Sequence, residues 1–262
     1  MKVMTLNLHS YQEDHQDEKF KCIAKKIVDK KIDVICFSEA SQRLTTPHIS
    51  EYIREDNALK IICDYINELS DETYQYAWEL SHYGFTIYEE GIGVITRLPI
   101  KEVQSRYVSA ETDLFNYKSR KVLKVCVEYD NEEINIFSVH LGMDDELEPF
   151  DLQFKKLDKW VKEQNGKCIM AGSFNSDVLS DGYNQIISAQ YTDQYIQALP
   201  EGFNDYTFIN PSGYEFRNSK DIRIDYIFTL NQPFIATEAD RFFDKEERVS
   251  DHVAVYVDLK AV

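Results

Sequence analysis

The chain alternates segments whose apolar residues recur at helical spacing with short apolar runs of the kind that form strands. The helical pattern predicts helices over residues 17–31, 55–69 and 150–164. The strand pattern predicts strands at 2–8, 32–37, 74–80, 85–88, 92–97, 101–109, 121–130, 134–141, 167–172, 223–230 and 253–259. Strands predominate, with helices between some of them, which favours an α/β protein with two mixed β-sheets packed together and helices outside.

No Gly/Ser-rich or Pro-rich linker interrupts this pattern, so a single domain over residues 1–262 is expected. The 43% hydrophobic and 13% aromatic content excludes disorder as the main state. No apolar stretch approaches the roughly 20 residues that a membrane-spanning helix needs. The N-terminus lacks the order of a secretory signal, so a cytoplasmic location is expected.

The net charge of −17 argues against nucleic acid as a partner, because such binding depends on Lys and Arg neutralising phosphates. No run of Lys or Arg exceeds two residues. The acidic groups are interpreted as a source of solubility together with a cation site. Nothing in the sequence indicates a membrane or a protein partner.

The cysteines are odd in number, widely spaced and set among apolar residues, and they form no Cys-x-x-Cys pair. All of them are predicted to be reduced core residues. They are Cys22, Cys36, Cys63, Cys126 and Cys168.

Polar residues follow several predicted strands, at the positions where a sheet protein tends to build its site. They are Asn7, Glu39, His140, Asn175, Asp225, Asp251 and His252. Each has a structural alternative when taken alone: a solvated strand end, a turn former, or a hydrogen-bonded structural histidine. Taken together, the oxygens of Asn7, Glu39 and Asp251 suit Mg²⁺. An imidazole paired with a carboxylate, as His252 with Asp225 would be, can stabilise a phosphoryl group.

Seven short motifs in order then resemble the endonuclease/exonuclease/phosphatase family. They are TLN (5–7), DVICFSE (33–39), GIGVITRLPI (91–100), SVHL (138–141), AGSFNSD (171–177), RIDYIF (223–228) and SDH (250–252). The resemblance implies a four-layer α/β/β/α sandwich and a Mg²⁺-dependent phosphoester hydrolase, in which Mn²⁺ can substitute.

The resemblance also implies roles for individual residues. Glu39 matches the principal metal ligand, and Asn7 and Asp251 match residues close to the cation. Asn175 matches the residue that orients the phosphate and the nucleophilic water. Among the histidines, His252 paired with Asp225 matches the contact to the scissile phosphate, and His140 matches a further donor. Tyr226 is expected to pack rather than react.

Ser173 departs from the family pattern, which normally has an Asp there that activates the attacking water. A serine hydroxyl cannot accept a proton near neutral pH as a carboxylate can. Three explanations stay open: a deliberately disabled variant, a natural enzyme with reduced or rerouted chemistry, and a binding protein that has lost catalysis. Asp177 is a further candidate for the base.

The substrate is narrowed by charge to a small soluble phosphate ester, with a nuclease as the alternative. Residues 5–13, which include His9, resemble members that dephosphorylate disaccharide phosphates, of the maltose 6′-phosphate phosphatase type. His9 and Arg120 are the predicted substrate contacts, and the acidic run 144–148 is a solvated loop, a contact to sugar hydroxyls or a site for a second cation. Four rings are candidates for stacking on a sugar: Trp78, Tyr83, Phe115 and Tyr117.

Overall fold

The computed structural model describes residues 1–143, 147–209 and 221–262. Twelve strands are formed within these ranges. They are β1 (Lys2–Asn7), β2 (Val34–Arg43), β3 (Gln75–Gly84), β4 (Tyr88–Thr96), β5 (Ile100–Tyr107), β6 (Lys121–Tyr129), β7 (Glu132–His140), β8 (Lys167–Ser173), β9 (Tyr191–Asp193), β10 (Asp225–Leu230), β11 (Phe234–Phe242) and β12 (Ala254–Ala261). The helices are α1 (Gln16–Lys30), α2 (Ala58–Leu69), α3 (Phe150–Lys162), α4 (Asp181–Ser188) and α5 (Gln194–Ala198).

The strands form two six-stranded sheets with matching designs. The first has the order β11-β12-β1-β2-β4-β3 and the second the order β5-β6-β7-β8-β10-β9. Each sheet has one parallel pair near its centre, β1 with β2 and β7 with β8, and its other pairings are antiparallel. Because parallel strands end at the same edge of a sheet, residues that follow β1, β2, β7 and β8 meet on one side of the molecule.

Three apolar layers separate the sheets and helices, which makes the protein the four-layer α/β/β/α sandwich that the resemblance implied. The first layer joins α1 and α2 to one sheet through residues such as Phe20, Ile62 and Phe37. The second lies between the sheets, and the third joins α3 and α4 to the other sheet. The apolar faces predicted for α1 and α3 therefore pack against a sheet, as helices of such a sandwich must.

Helix boundaries follow local chemistry. At the start of α2, the Asn57 side chain accepts a hydrogen bond from the Lys60 N–H at 3.1 Å, a standard N-cap. At the end of α1, Lys31 adopts a left-handed conformation (φ 52°), which stops the helix. No helix in the described ranges is both long and apolar enough to cross a membrane.

Several sequence predictions need correction. Residues 85–88, predicted as a strand, mostly form the turn between β3 and β4, where Phe85 and Thr86 have positive φ. Strand β2 extends to Arg43, well past the predicted end, because β4 pairs with it beyond a bulge. Elements α4, α5, β9 and β11 were not predicted. Cys22 is exposed on the outer face of α1, so it is not a core residue, whereas the other four cysteines are buried and all five are free.

Candidate active site

The predicted site residues converge where the central strands of both sheets end. Asn7 ends β1, Glu39 lies within β2, and His140 ends β7 in the other sheet. Below them, the Ser138 hydroxyl contacts the carbonyl oxygens of Phe37 and Gly93 at 3.3 and 3.1 Å, which ties the two sheets together. The sandwich thereby holds carboxylate and imidazole groups from different sheets within reach of each other.

Glu39 is presented by an irregularity in its strand. The pairing of β2 with β4 shifts register between Phe37 and Ala40, and Glu39 has a positive φ of 49°. A non-glycine residue in that region is strained, and such strain is concentrated at functional sites. The Glu39 carboxylate accepts a hydrogen bond from the Asn7 amide at 2.8 Å, while the Asn7 amide oxygen accepts from the His9 N–H at 3.1 Å. Asn7 therefore orients the carboxylate of Glu39.

Asp251 approaches from the loop before β12. The hydroxyl of Ser250 donates to the carbonyl of Asn7 at 2.7 Å and so anchors this loop to the end of β1. His9 Nδ1 lies 3.7 Å from Asp251 Oδ1 and 2.9 Å from Glu13 Oε1. Burial acts to lower the pKa of His9, but the carboxylates of Glu13, Asp251 and Glu39 outweigh it and raise the pKa. His9 Nδ1 is therefore hydrogen-bonded to Glu13 and lies within ion-pair distance of Asp251.

Asp225 and His252 form the pair that the sequence predicted. Asp225 Oδ2 lies 2.7 Å from His252 Nδ1, and both side chains are buried. Burial alone lowers the pKa of His252, but the charge and hydrogen bond of Asp225 dominate and raise it to about 9. His252 is therefore an imidazolium at neutral pH, able to donate to an anionic oxygen from Nε2.

The pKa of His140 is shifted in the opposite direction from that of His252. Burial and the positive charge of Arg120 lower the pKa of His140 well below its ordinary value. Arg120 Nη1 lies 3.3 Å from His140 Nδ1, and His140 Nε2 lies 3.6 Å from Glu39 Oε1. The site therefore combines one charged and one neutral histidine.

Asn175 and Ser173 lie between these histidines. Asn175 has a positive φ of 53°, and its amide donates to the carbonyl of Leu141 at 2.8 Å. Ser173 is the residue of β8 that pairs with His140 on one side and with Asp225 on the other. Within the described chain, Ser173 Oγ and Asp225 Oδ1 are buried without a hydrogen-bond partner.

Comparison with known proteins agrees with this geometry. The family model described as endonuclease/exonuclease/phosphatase family matches residues 4–252. The chain belongs to this family. Its members are hydrolases that act on phosphoesters. No curated protein matches the chain.

Solved structures of the family superimpose over the whole chain. A family protein from Leptotrichia buccalis is 28% identical, with a TM-score of 0.89 and 99% of each chain covered. A mannosyl-6-phosphatase from Bacteroides thetaiotaomicron is 19% identical, with a TM-score of 0.68 and 99% of each chain covered. The catalytic domain of human Nocturnin is 15% identical, with a TM-score of 0.67, and 100% of this chain and 93% of that one are covered. The last two, at such identities, show the fold alone.

The oxygen donors of the site fit the divalent metal that family enzymes generally use. Glu39 and Asp251 are only 20% and 14% exposed at their side chains, and both supply the hard carboxylate oxygens that Mg²⁺ prefers. Asn7 supports the first of these carboxylates rather than adding a third charge. The roles assigned to these residues from the family resemblance stay predictions.

The remaining predicted residues have defined positions. Asp177 accepts from the Leu179 N–H at 3.2 Å, within the turn that leads to α4. Tyr226 is fully buried and its hydroxyl donates to the Ser176 carbonyl at 2.8 Å, which supports the packing role. In the acidic run, residues 144–146 lie outside the described residues, and Glu148 accepts from the Glu111 N–H at 2.6 Å.

Of the four rings predicted to stack on a sugar, two form a pair. Tyr83 and Phe115 have ring centroids 4.9 Å apart, and Phe115 is 82% exposed. Tyr117 is also exposed, whereas Trp78 donates from its indole to the Ala40 carbonyl at 2.7 Å and packs against the sheet. Arg120 and His9 stay predicted substrate contacts.

Sequence reasoning missed two buried residues at the site, Glu90 and His82. His82 Nε2 lies 3.3 Å from Glu90 Oε1. Burial and the charge of Glu39 raise the pKa of Glu90 to about 8, and burial and Arg120 lower that of His82 to about 4. A signal was present: two consecutive glutamates, Glu89 and Glu90, stand near the start of the otherwise apolar strand β4, and both are buried.

Proposed function

We propose that the protein is a Mg²⁺-dependent phosphomonoesterase that acts on a small sugar phosphate. The observation that carries the proposal is the charge distribution around the site. Donors for one phosphate group converge there, from His140, His252 and Asn175, beside the carboxylates of Glu39 and Asp251. Most of the basic side chains farther from these residues form ion pairs with carboxylates.

The pairing of the basic side chains around the site favours a small ligand over a polyanion such as nucleic acid. Several basic side chains, one in α1 and the others in loops or at a strand end, form ion pairs between 2.6 and 3.4 Å. The pairs are Lys19 with Glu13, Arg43 with Asp56, Arg54 with Glu89 and Lys245 with Asp221. Nucleic acid binding gains affinity when phosphates are neutralised by available Lys and Arg, so this rim is poorly suited to it.

The metal would be held by Glu39 and Asp251, with Asn7 fixing the first carboxylate. When bound, a divalent cation supplies Lewis-acid polarisation of a phosphoryl oxygen. The chain itself contributes the His252 imidazolium and the His140 ring as donors to phosphoryl oxygens, where charge develops in the transition state. We propose that Asn175, whose amide donates to the Leu141 carbonyl, orients the same group.

The sugar moiety is proposed to stack on the ring pair of Tyr83 and Phe115. The exposed ring of Phe115 and the half-buried ring of Tyr83 suit the apolar faces of a pyranose. Tyr83 follows His82 near the end of β3, so the ring pair lies at the same end of the strand as the site, although alternation turns the Tyr83 side chain to the opposite face. The mannosyl-6-phosphatase with the same fold is consistent with this substrate class.

A second candidate, a phosphate-ligand binder without catalysis, is favoured by one observation. Ser173 is buried, and its hydroxyl has no hydrogen-bond partner within the described chain, so no hydrogen-bonded base activates it. Loss of a general base typically lowers a rate by about 10²–10⁴-fold. The phosphatase proposal therefore includes reduced turnover relative to a form with Asp at this position.

Phosphate release from a panel of sugar phosphates and nucleotides tests these proposals. The native chain and Ser173→Asp are assayed with Mg²⁺ and with EDTA, beside Glu39→Gln and the matched control Glu102→Gln, whose carboxylate pairs with Lys124 away from the site. Metal-dependent release that only Glu39→Gln abolishes supports the phosphatase. Metal-dependent ligand binding without release in either the native or the Ser173→Asp form supports the binder. Nicking of supercoiled plasmid without sugar phosphate turnover would support a nuclease instead.

A further inference from the structure

Two buried histidines of the site are held by one short segment, residues 119–120, which enters β6. His140 contacts the Arg120 side chain, and His82 contacts the carbonyl of Ser119. A neutral imidazole has one nitrogen that donates and one that accepts, and its partners decide which is which. The two residues of this segment offer opposite partners: the Arg120 side chain is a donor, and the Ser119 carbonyl is an acceptor.

Arg120 defines the proton on His140. A guanidinium has only donors, so the Nδ1 atom that lies 3.3 Å from Arg120 Nη1 must accept. The ring proton of His140 is then on Nε2. That nitrogen lies 3.6 Å from Glu39 Oε1 and so faces the site.

Ser119 defines the opposite arrangement on His82. A carbonyl only accepts, so the Nδ1 atom 3.2 Å from Ser119 O carries the proton. In a neutral ring, Nε2 of His82 is then the acceptor, and Glu90 Oε1 lies 3.3 Å from it. Neighbouring residues of one segment therefore hold two rings in opposite tautomers.

We propose that Arg120 is a positioning residue that holds His140 in the Nε2-protonated tautomer, so that this ring directs its N–H toward the phosphate. The inference rests on the proposed function, and it revises the predicted role of Arg120 as a substrate contact. One amino group of Arg120 is engaged with the imidazole, and its Nε is buried beside Gly142. The guanidinium is thus turned toward the histidine.

The geometry explains why an arginine stands in this position. A neutral histidine in solution exchanges between two tautomers, and in one of them Nε2 is an acceptor that repels a phosphate oxygen. A carboxylate at Nδ1 would hold a proton on Nδ1, favouring that wrong tautomer or the imidazolium. Only a donor at Nδ1 keeps the ring neutral with its proton directed toward the site.

The test is the protonation state of the ring nitrogens in the full-length, substrate-free protein, measured by long-range ¹H–¹⁵N correlation at neutral pH. We expect His140 to show an unprotonated Nδ1 and a protonated Nε2, and His82 to show the reverse. Arg120→Met, which keeps apolar bulk without a donor, should give a mixture of tautomers at His140 alone. Arg120→Lys, which restores a donor, should return the ring to the Nε2-protonated form.

Kinetics provide a second readout on the substrate that is turned over. Loss of a residue that orients a functional side chain typically lowers activity by roughly 10–100-fold. Arg120→Met should lower kcat by that amount with KM nearly unchanged, and Arg120→Lys should recover part of it. Lys121→Met is the matched control, because this adjacent cation pairs with Glu79 instead, and it should alter neither readout.

Two results would overturn the proposal: a protonated Nδ1 on His140 in the native chain, or an unchanged tautomer in Arg120→Met. A rise in KM at constant kcat would also overturn it, since that pattern marks a direct substrate contact. The nitrogen measurement needs no substrate. A protein that releases no phosphate from any ester would therefore contradict the proposed function and leave the tautomer assignment standing.

Discussion

Replacing Glu90 by Gln should make the free energy of unfolding less sensitive to a rise in pH. Glu90 is 9% exposed and faces His82 within the site. Burial and the nearby charge of Glu39 raise its pKa from 4.5 to about 8. Because the folded state binds this proton more tightly than the unfolded state does, the stabilisation is complete below pH 4.5 and is lost as the pH rises toward 8.

The magnitude follows from the shift. Each unit of pKa difference corresponds to about 1.4 kcal/mol, so the native chain should lose about 3 kcal/mol from this group between pH 5.5 and pH 8. Gln keeps an N–H donor for His82 Nε2 and has no charge to gain. The free energy of unfolding of Glu90→Gln relative to the native chain should therefore rise by about 3 kcal/mol across that range.

Urea unfolding at several pH values in metal-free buffer measures this difference, since groups that titrate in both proteins cancel. The matched control is Glu89→Gln, at the preceding position of β4. Arg54, 2.7 Å away, outweighs burial and holds the pKa of Glu89 below its ordinary value, so the effect of this substitution should not change over the range. Parallel stability curves for Glu90→Gln and the native chain would refute the reasoning.

Three further outcomes are expected. Asp225→Asn removes the charge that keeps His252 protonated, so an NMR titration should show the pKa of His252 falling from about 9 toward or below its ordinary value. Gly172→Ala would place a Cβ 1.9 Å from the Val139 carbonyl oxygen, where the parallel strands approach closely; this backbone clash should cost about 3 kcal/mol or more in urea unfolding. Ser173→Asp sets a buried carboxylate beside Asp225, so its thermal midpoint relative to the native chain should fall further at pH 8 than at pH 5.

Much of the site was predictable because its residues stand at the ends of strands. Asn7 and His140 each close an apolar run, and runs of that kind align at one edge when they form parallel pairs. Glu39 was predicted from the same pattern, although it lies inside β2 rather than after it. Its exposure comes from the bulge at Phe37 and Ala40, which no periodicity indicates.

The residues that escaped prediction owe their positions to pairing between distant segments. His82 faces inward because the β3–β4 ladder shifts register between Leu80 and His82. Strand β11 was missed because Glu238, Asp240 and Arg241 interrupt its apolar pattern; pairing with β12 in the sheet leaves Phe234, Ala236 and Phe242 buried. Cys22 appears apolar in sequence, yet it projects from the solvent side of α1.

Ser173 gives the site less negative charge than the usual aspartate of the family would. With Asp there, two carboxyl groups would stand next to each other at the ends of β8 and β10, near Glu39 and Asp251. Ser173 removes one of these charges next to Asp225, which leaves Asp225 committed to the His252 imidazolium alone. A site with fewer negative charges repels a doubly charged phosphate monoester less than a family site with the usual aspartate does. For the proposed phosphatase, Ser173→Asp is therefore expected to weaken phosphate binding and to speed proton removal from water, so that affinity and turnover change in opposite directions.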